Sequence, residues 1–327
     1  MRQPIQTMDK KFFVAVDMGG TRFRVALADA SGKLSYRKSH LTRAHEGKEA
    51  VISRLTQAVR ETMDHHTREQ ILAVGFAAPG PLDPRTGVIF TPPNLPGWQD
   101  VPLKALLEEQ LNLPVYLGND ANLAALGEHH FGAGRGMDNL IYMTVSTGVG
   151  GGIIADGRLL LGQDGLAGEV GHMSVAEGPR CKCGNYGCLE MLASGLAIAR
   201  IAGERMEAGE KSSIPTFARG RITAEAVEAA ARAGDALARS VLHGAATHLG
   251  VGIVNLVHLF NPQAIIIGGG VSQAGEQIFG PVRRIVAERA MPNFRKVQII
   301  PAALGDDVGL YGAVALVVAE IGISKER

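Results

Sequence analysis

The sequence predicts an α/β protein of two lobes built on an internal duplication. Its 327 residues amount to roughly two domains at about 150 residues each. Short apolar runs alternate with segments whose apolar residues recur every three or four positions, as strands and helices do. A unit of strand, glycine turn and return strand occurs near the N-terminus and returns from Leu140, the mark of a duplication.

Phe12 to Val16 reads as a buried strand, and after a Gly19-Gly20 turn Phe23, Val25 and Leu27 alternate with Arg24 and Ala26 as a second. Asp29 to Gly32 turns into a third strand near Leu34. Val51, Leu55, Ala58, Val59 and Thr62 give Gly47 to His65 a helical period, and Ile71 to Phe76 is a short apolar strand. In the second copy Leu140 to Val145 is the strand, Gly148 to Gly152 the glycine turn, and Ile153 begins the return strand. Each copy sets a glycine turn between strands of a meander, so two loops are expected to grip one ligand across an interlobe cleft. Gly203 to Arg221 is polar and interrupted by Pro215, which suggests a surface excursion. Leu237 through Phe260 keeps helical spacing until Pro262, Ala264 to Ile267 is a strand opening into Gly268-Gly269-Gly270, and Gly309 to Ile321 is an apolar helix expected to return to the first lobe. These segments divide the chain into a smaller α/β lobe, 1–118 plus 304–327, and a larger one, 119–303.

Composition narrows the function. Lys and Arg total 33 against 32 for Asp and Glu, so bulk electrostatic binding of nucleic acid is not the expected activity. No run approaches the roughly 18 apolar residues of a membrane span, and no membrane anchor or signal peptide is expected. Three cysteines, all between Cys181 and Cys188, suit a metal site in a reducing compartment, hence the cytoplasm.

The chemistry-bearing motifs lie at the predicted strand ends. In Asp17-Met18-Gly19-Gly20-Thr21 the glycines let backbone N–H groups approach phosphate oxygens, Thr21 adds a hydroxyl, and Asp17 is placed to hold Mg²⁺ through water. An ordinary hairpin turn has the same signature. Thr147 and Gly148 offer the same chemistry in the second copy, while Gly268, Gly269 and Gly270 suit an adenine ring or ribose lying on bare backbone. Asn119 and Asp120 open a helical stretch after Val115 to Leu117, so Asp120 is a candidate general base and either residue a candidate helix cap. Glu169 and His172 stand three apart, within reach of one polyhydroxy ligand. His172 with Cys181, Cys183 and Cys188 completes a Cys₃His set within 17 residues, as a structural Zn²⁺ site requires, against the alternative of three buried free thiols. Glu190 follows two residues beyond Cys188, and Asn94 lies in a proline-rich loop with the only tryptophan, Trp98.

Taken in order, Asp17-x-Gly-Gly-Thr21, Ala78-Pro79-Gly80-Pro81-Leu82-Asp83, Asn119-Asp120-Ala121-Asn122, Thr147-Gly148-Val149-Gly150-Gly151, Glu169-Val-Gly-His172 and Cys181-x-Cys183-Gly-x-x-Gly-Cys188-Leu-Glu190 resemble the ROK family over about residues 12–320. The resemblance implies a two-lobed, actin-like (ribonuclease-H-like) ATPase fold and a homodimer or homotetramer. It also implies ATP-dependent phosphorylation of a hexose at the 6-hydroxyl. By position, Asp120 corresponds to the base, and Asn119, Glu169, His172 and Glu190 to the sugar-binding set, with Asn94 a further candidate. Gly19, Gly20, Thr21, Thr147 and Gly148 correspond to phosphate contacts, and the Gly268 turn to the adenosine region. Ser146 stands where many members have glycine. Repressors of the family carry an N-terminal helix-turn-helix, and the 11 residues before the first strand favour the enzyme branch. Pro93-Asn94-Leu95-x-Gly97-Trp98, Ala124 to Glu128 and Gly132 to Gly136 look most like glucokinases; N-acetylmannosamine or N-acetylglucosamine kinases are the alternative, and a non-catalytic sugar sensor a third.

Overall fold

The computed structural model describes residues 11–322, which fold as two compact units. The first runs to Arg135 and adds Leu159–Ala167 and the chain from Asp306 on. The second is Gly136–Arg158 with Gly168–Gly305.

The first unit is built on strands β1 (Phe12–Met18), β2 (Arg22–Asp29), β3 (Leu34–Leu41), β4 (Ile71–Ala78) and β7 (Val115–Asn119), with a small hairpin of β5 (Leu82–Asp83) and β6 (Val88–Ile89) beside them. The sheet order is β3-β2-β1-β4-β7. β1 runs antiparallel to β2, in the register Met18 to Phe23, and parallel to β4. Because β1 is central and buried on both faces, it is a continuous apolar run rather than an alternating one. One face packs Val14, Val16, Val25 and Phe76 against Val51, Leu55 and Val59 of α1 (Lys48–Met63) and Leu103 and Leu107 of α2 (Leu103–Leu111). The other face is lined by small residues, Ala15, Ala26 and Ala73, which meet Leu310, Ala313 and Val317 of α10 (Val308–Glu320). The C-terminal helix lies in the first unit, and glycine makes the packing close: a Cβ on Gly75 would stand 2.2 Å from the Ala313 carbonyl oxygen.

Helix α3 (Asp120–Phe131) packs against α10, with the backbones so near that a Cβ on Gly312 would lie 2.0 Å from the Leu123 carbonyl oxygen. Residues 119–135 therefore group with the first unit, where the sequence reading set a boundary after 118.

In the second unit β8 (Leu140–Val145), β9 (Val149–Ala155), β10 (Arg158–Leu159), β11 (Ala264–Gly268) and β12 (Gln298–Pro301) take the order β10-β9-β8-β11-β12. β8 pairs antiparallel with β9 and parallel with β11, so the first unit's pattern is repeated strand for strand, as the actin-like, ribonuclease-H-like fold requires. One expectation changes. Gly150, Gly151 and Gly152 are not the turn but lie within β9, paired with Thr144, Met143 and Tyr142; the turn is Ser146 to Gly148, closed by Ser146 N–H to the Gly148 carbonyl at 2.9 Å. The missing side chains make room for the Val170-Gly171 segment: a Cβ on Gly151 would be 2.7 Å from Val170 Cγ2.

The helices of this unit are α4 (Leu189–Ala193), α5 (Gly195–Glu207), α6 (Ile214–Phe217), α7 (Ala224–Arg232), α8 (Ala236–Phe260) and α9 (Glu276–Arg289). Part of the expected excursion from Gly203 is therefore helix, since Ile198 and Ala202 give α5 a buried face. α8 is long and apolar enough to cross a membrane, but 61% of that apolar window is buried in the protein. It ends at Asn261, in the left-handed region at φ 46°, one residue before Pro262.

Candidate active site

The first glycine loop joins β1 to β2. Gly19 N–H donates to the Arg22 carbonyl at 2.9 Å, and the Gly20 and Thr21 N–H groups donate to no other group among the described residues. Such unsatisfied donors at a strand end are what a phosphate needs. A Cβ on Gly20 would stand 2.8 Å from Asn94 Cβ and 2.9 Å from the Asn94 carbonyl oxygen, so the structure brings the Asn94 loop directly onto the first glycine loop. Trp98 is buried in the core and anchors that loop from beneath. Asp17 has its Oδ2 on Arg24 at 3.3 Å; burial lifts its carboxyl above the usual range, with Arg24 opposing.

At the β7–α3 junction the cap role falls to Asn119 and leaves Asp120 in the first turn of the helix. Asn119 is the N-cap, its Oδ1 accepting from Ala121 N–H at 3.0 Å and Asn122 N–H at 3.1 Å. Its Nδ2 lies 2.8 Å from where a Cβ on Gly80 would be, so only glycine leaves that amide room. Asp120 occupies the first turn, where the positive end of the helix favours a carboxylate; its Oδ1 also accepts from Ala121 N–H at 2.7 Å.

The second unit holds the remaining candidates. Thr147 and Gly148 form the β8–β9 turn, and Glu190, in the first turn of α4, accepts from Val149 N–H at 2.9 Å through Oε2. A Cβ on Gly148 would sit 2.4 Å from that oxygen. Ser146, the residue where glycine is commoner in the resemblance, uses its carbonyl to accept Gly195 N–H at 2.7 Å. Gly269 has φ 85° and lies against β8: a Cβ there would be 2.5 Å from the Val145 carbonyl oxygen. Gly268 is likewise closed in by Tyr142, whereas Gly270 faces open space. Gly270 lines a cavity of about 220 Å³ together with Thr147, Leu196, Arg221, Glu225 and Glu228. Thr147 and the Gly268 turn are thus brought to one pocket. Arg221, Glu225 and Glu228 had no signal in the sequence; Glu225's own backbone N–H, then the Thr223 hydroxyl, hold its carboxyl below the usual range, and the Arg221 charge adds to this.

His172, Cys181, Cys183 and Cys188 converge, their four ligand atoms all within 4.8 Å of one another. His172 Nδ1 is 3.6 Å from Cys181 Sγ, and Cys183 Sγ is 3.6 Å from Cys188 Sγ. A tetrahedral zinc with Zn–S near 2.3 Å and Zn–N near 2.1 Å sets its ligands about 3.6–3.8 Å apart, so the set fits that ion. Gly187 makes the wrap possible: its φ is 64°, and a Cβ would strike the Ala176 carbonyl oxygen at 1.7 Å. Burial pushes the Cys188 thiol up to about 12, with the neighbouring thiols adding to it, whereas the Asn185 backbone N–H lowers Cys183. The other imidazole nitrogen, Nε2, turns to Glu169 at 3.9 Å.

Asp17, Gly19, Gly20, Thr21, Asn94, Asn119 and Asp120 therefore lie in the first unit, and Thr147, Gly148, Glu169, His172, Glu190, the three cysteines and Gly268 to Gly270 in the second.

The ROK family matches residues 13–320. A glucokinase of Thermotoga maritima is 38% identical over 319 residues, covering 96% of this chain and all of that protein. The ROK family glucokinase of Streptomyces griseus, solved in complex with glucose and AMPPNP, superposes with a TM-score of 0.79 at 34% identity over 93% of this chain and 98% of its own. A ROK family transcriptional regulator superposes with a TM-score of 0.85 at 28% identity, over 94% of this chain and 78% of that one. With a family match over nearly its whole length and a relative of this identity, the chain belongs to the ROK family.

Proposed function

We propose that this protein is an ATP-dependent hexokinase whose preferred acceptor is glucose, giving glucose 6-phosphate and ADP. The observation that carries the reading is Glu190: a carboxylate of the expected sugar-binding set is hydrogen-bonded to Val149, at the end of the Thr147-Gly148 turn, so acceptor and donor groups adjoin in the second unit. The full-length relative described as a glucokinase and the glucose- and AMPPNP-bound neighbour support it.

In this reading Asp120 takes the proton of the sugar 6-hydroxyl as the oxygen forms its bond to the γ-phosphorus and the bond to ADP breaks. Such a positioned base is worth about 10²–10⁴-fold. Asn119, Glu169, His172 and Glu190 hold the non-reacting hydroxyls, with Asn94 at the edge of the first glycine loop. Gly19, Gly20, Thr21, Thr147 and Gly148 bind the phosphates, and the cavity at Gly270 takes the nucleoside. Asp17, through the Oδ1 that Arg24 does not take, would hold Mg²⁺ by way of water, and the ion would supply positive charge against the transferring phosphoryl group. Structural Zn²⁺ would be held by His172, Cys181, Cys183 and Cys188, fixing the imidazole so that Nε2 meets the sugar. A cytoplasmic homodimer or homotetramer belongs to the same reading.

The test is kcat/KM with ATP for glucose, mannose, N-acetylglucosamine and N-acetylmannosamine. Glucose should lead, with mannose second. A preference for either N-acetyl sugar transfers the assignment to the hexosamine kinases, and sugar binding with no phosphorylation of any substrate makes the protein a sugar sensor.

A further inference from the structure

Behind the first glycine loop, on β3's C-terminal side, stands Thr42, fully buried although polar. Its hydroxyl donates to the Gly19 carbonyl at 2.7 Å and its N–H to the Thr21 carbonyl at 2.9 Å. Its own carbonyl accepts from Arg54 of α1 at 2.7 Å, and Arg54 is in turn paired with Glu46. In a trans peptide the N–H points opposite its own carbonyl, so drawing the Gly19 carbonyl to Thr42 turns the Gly20 N–H to the other side, and the bond to the Thr21 carbonyl fixes the far end of the loop. The Gly20 N–H has no partner among the described residues, nor has the Thr21 N–H beside it. No other described side chain hydrogen-bonds to the backbone of Gly19, Gly20 or Thr21.

We propose that Thr42 is the positioning residue of the first phosphate loop: with Arg54 behind it, it holds the Gly20 amide, in a turn pinned at both ends, oriented for the phosphates of ATP before the nucleotide arrives. Preorganised donors need no reordering on binding, so losing the anchor weakens nucleotide binding without touching the sugar groups. The hydroxyl, not the shape of the side chain, carries the effect. The inference rests on the kinase reading above.

Three proteins decide it: wild type, Thr42→Val, which keeps the shape and loses the hydroxyl, and Thr42→Ser, which keeps the hydroxyl. Each is measured for kcat, for KM of ATP and of glucose, and for the Kd of a non-hydrolysable ATP analogue. Loss of the buried hydrogen bond that orients the Gly20 amide should raise KM for ATP and the analogue's Kd in Thr42→Val by about tenfold, with KM for glucose within about twofold, while Thr42→Ser stays within about twofold of wild type throughout. An unchanged nucleotide Kd in Thr42→Val overturns the inference, as does an equal loss in Thr42→Ser, which would assign the effect to packing. If Thr42→Val does not fold, Arg54→Met removes the support for the Thr42 carbonyl from the surface and should raise the same Kd about threefold; no rise is again a refutation. A wild-type protein that does not bind the analogue defeats the kinase reading itself and not only this one.

Discussion

Replacing Cys183 by serine separates a metal-built site from a merely thiol-rich one. Cys183 is the exposed member of the four, so the exchange of sulfur for oxygen disturbs no core, and a stability loss reports the lost ligand. The short spacings, 3.6 Å for both Cys181 to His172 and Cys183 to Cys188, match the edges of a zinc tetrahedron, and a hydroxyl is a poor replacement at one corner. Losing even a supporting partner outside the ligand set weakens metal affinity about 10–100-fold, so a lost ligand should weaken it by at least the upper figure. If the wild type is saturated, a hundredfold weaker ion withdraws about 2.7 kcal/mol of linked stability. At about 2 °C per kcal/mol for a chain of this size, the melting temperature falls by about 5 °C. His172 then loses the anchor on Nδ1, and because its Nε2 faces Glu169, KM for glucose should rise with it. Elemental analysis of purified wild type and Cys183→Ser, with melting curves before and after chelation, tests this. About one zinc per wild-type chain is expected; an active wild type without zinc, or a variant that melts with the wild type, refutes it.

Asp120→Asn should lower kcat by at least about 10²-fold while KM for the sugar changes less; a near-normal kcat, measured at saturating ATP and glucose, would leave Asp120 with only its place in the first turn of α3. Gly20→Ala places a methyl 2.9 Å from the Asn94 carbonyl oxygen, a backbone contact that cannot swing aside, so initial-rate kinetics should show KM rising for both ATP and glucose; a change for ATP alone would uncouple the Asn94 loop. Asp235, the N-cap of α8, is held down to about 2: burial opposes ionisation, but the Ala238 and Ser213 N–H groups and the Ser212 and Ser213 hydroxyls outweigh it. A depressed folded value stabilises above the unfolded 3.8 and is lost as pH falls through about 2; discounted for partial exposure, Asp235→Asn should lose about 1 kcal/mol at pH 7 in a urea titration and show a flatter stability profile between pH 4 and 2.

What could be read in advance followed the range of the interactions. β1, β4 and β11 announce themselves because central strands must be apolar on both faces, and the Cys₃His set is visible because all four ligands lie within 17 residues. The glycines of β9 deceive, since a strand that lacks side chains to admit Val170 and Gly171 looks locally like a turn. The boundary after 118 fails for a related reason: α3 is claimed by α10 through Gly127 and Gly312, where a Cβ on Gly127 would meet the Gly312 N at 2.9 Å, and no local pattern joins residues so far apart. The wall of the Gly270 cavity comes from separate stretches of chain, so Arg221, Glu225 and Glu228 were illegible.

The duplication repeats the glycine loops but not what holds them. In the first unit the loop's carbonyls are held by a neutral hydroxyl and an amide from Thr42, with a guanidinium behind. In the second, a carboxylate, Glu190, takes the Val149 N–H that ends the Thr147-Gly148 turn. These anchors differ in charge, and so in what they do near a nucleotide. On the kinase reading, a neutral hydroxyl orders a donor without adding repulsion toward phosphate, so its effect falls on nucleotide affinity. A carboxylate beside the second loop, on the same reading, repels the phosphates it adjoins, and a hexose hydroxyl donating to Glu190 would draw charge from the carboxylate and relieve that repulsion. On the kinase reading the two loops are therefore alike in backbone chemistry and unlike in their anchors: the first is held by Thr42, and the second adjoins a carboxylate that a sugar hydroxyl would meet.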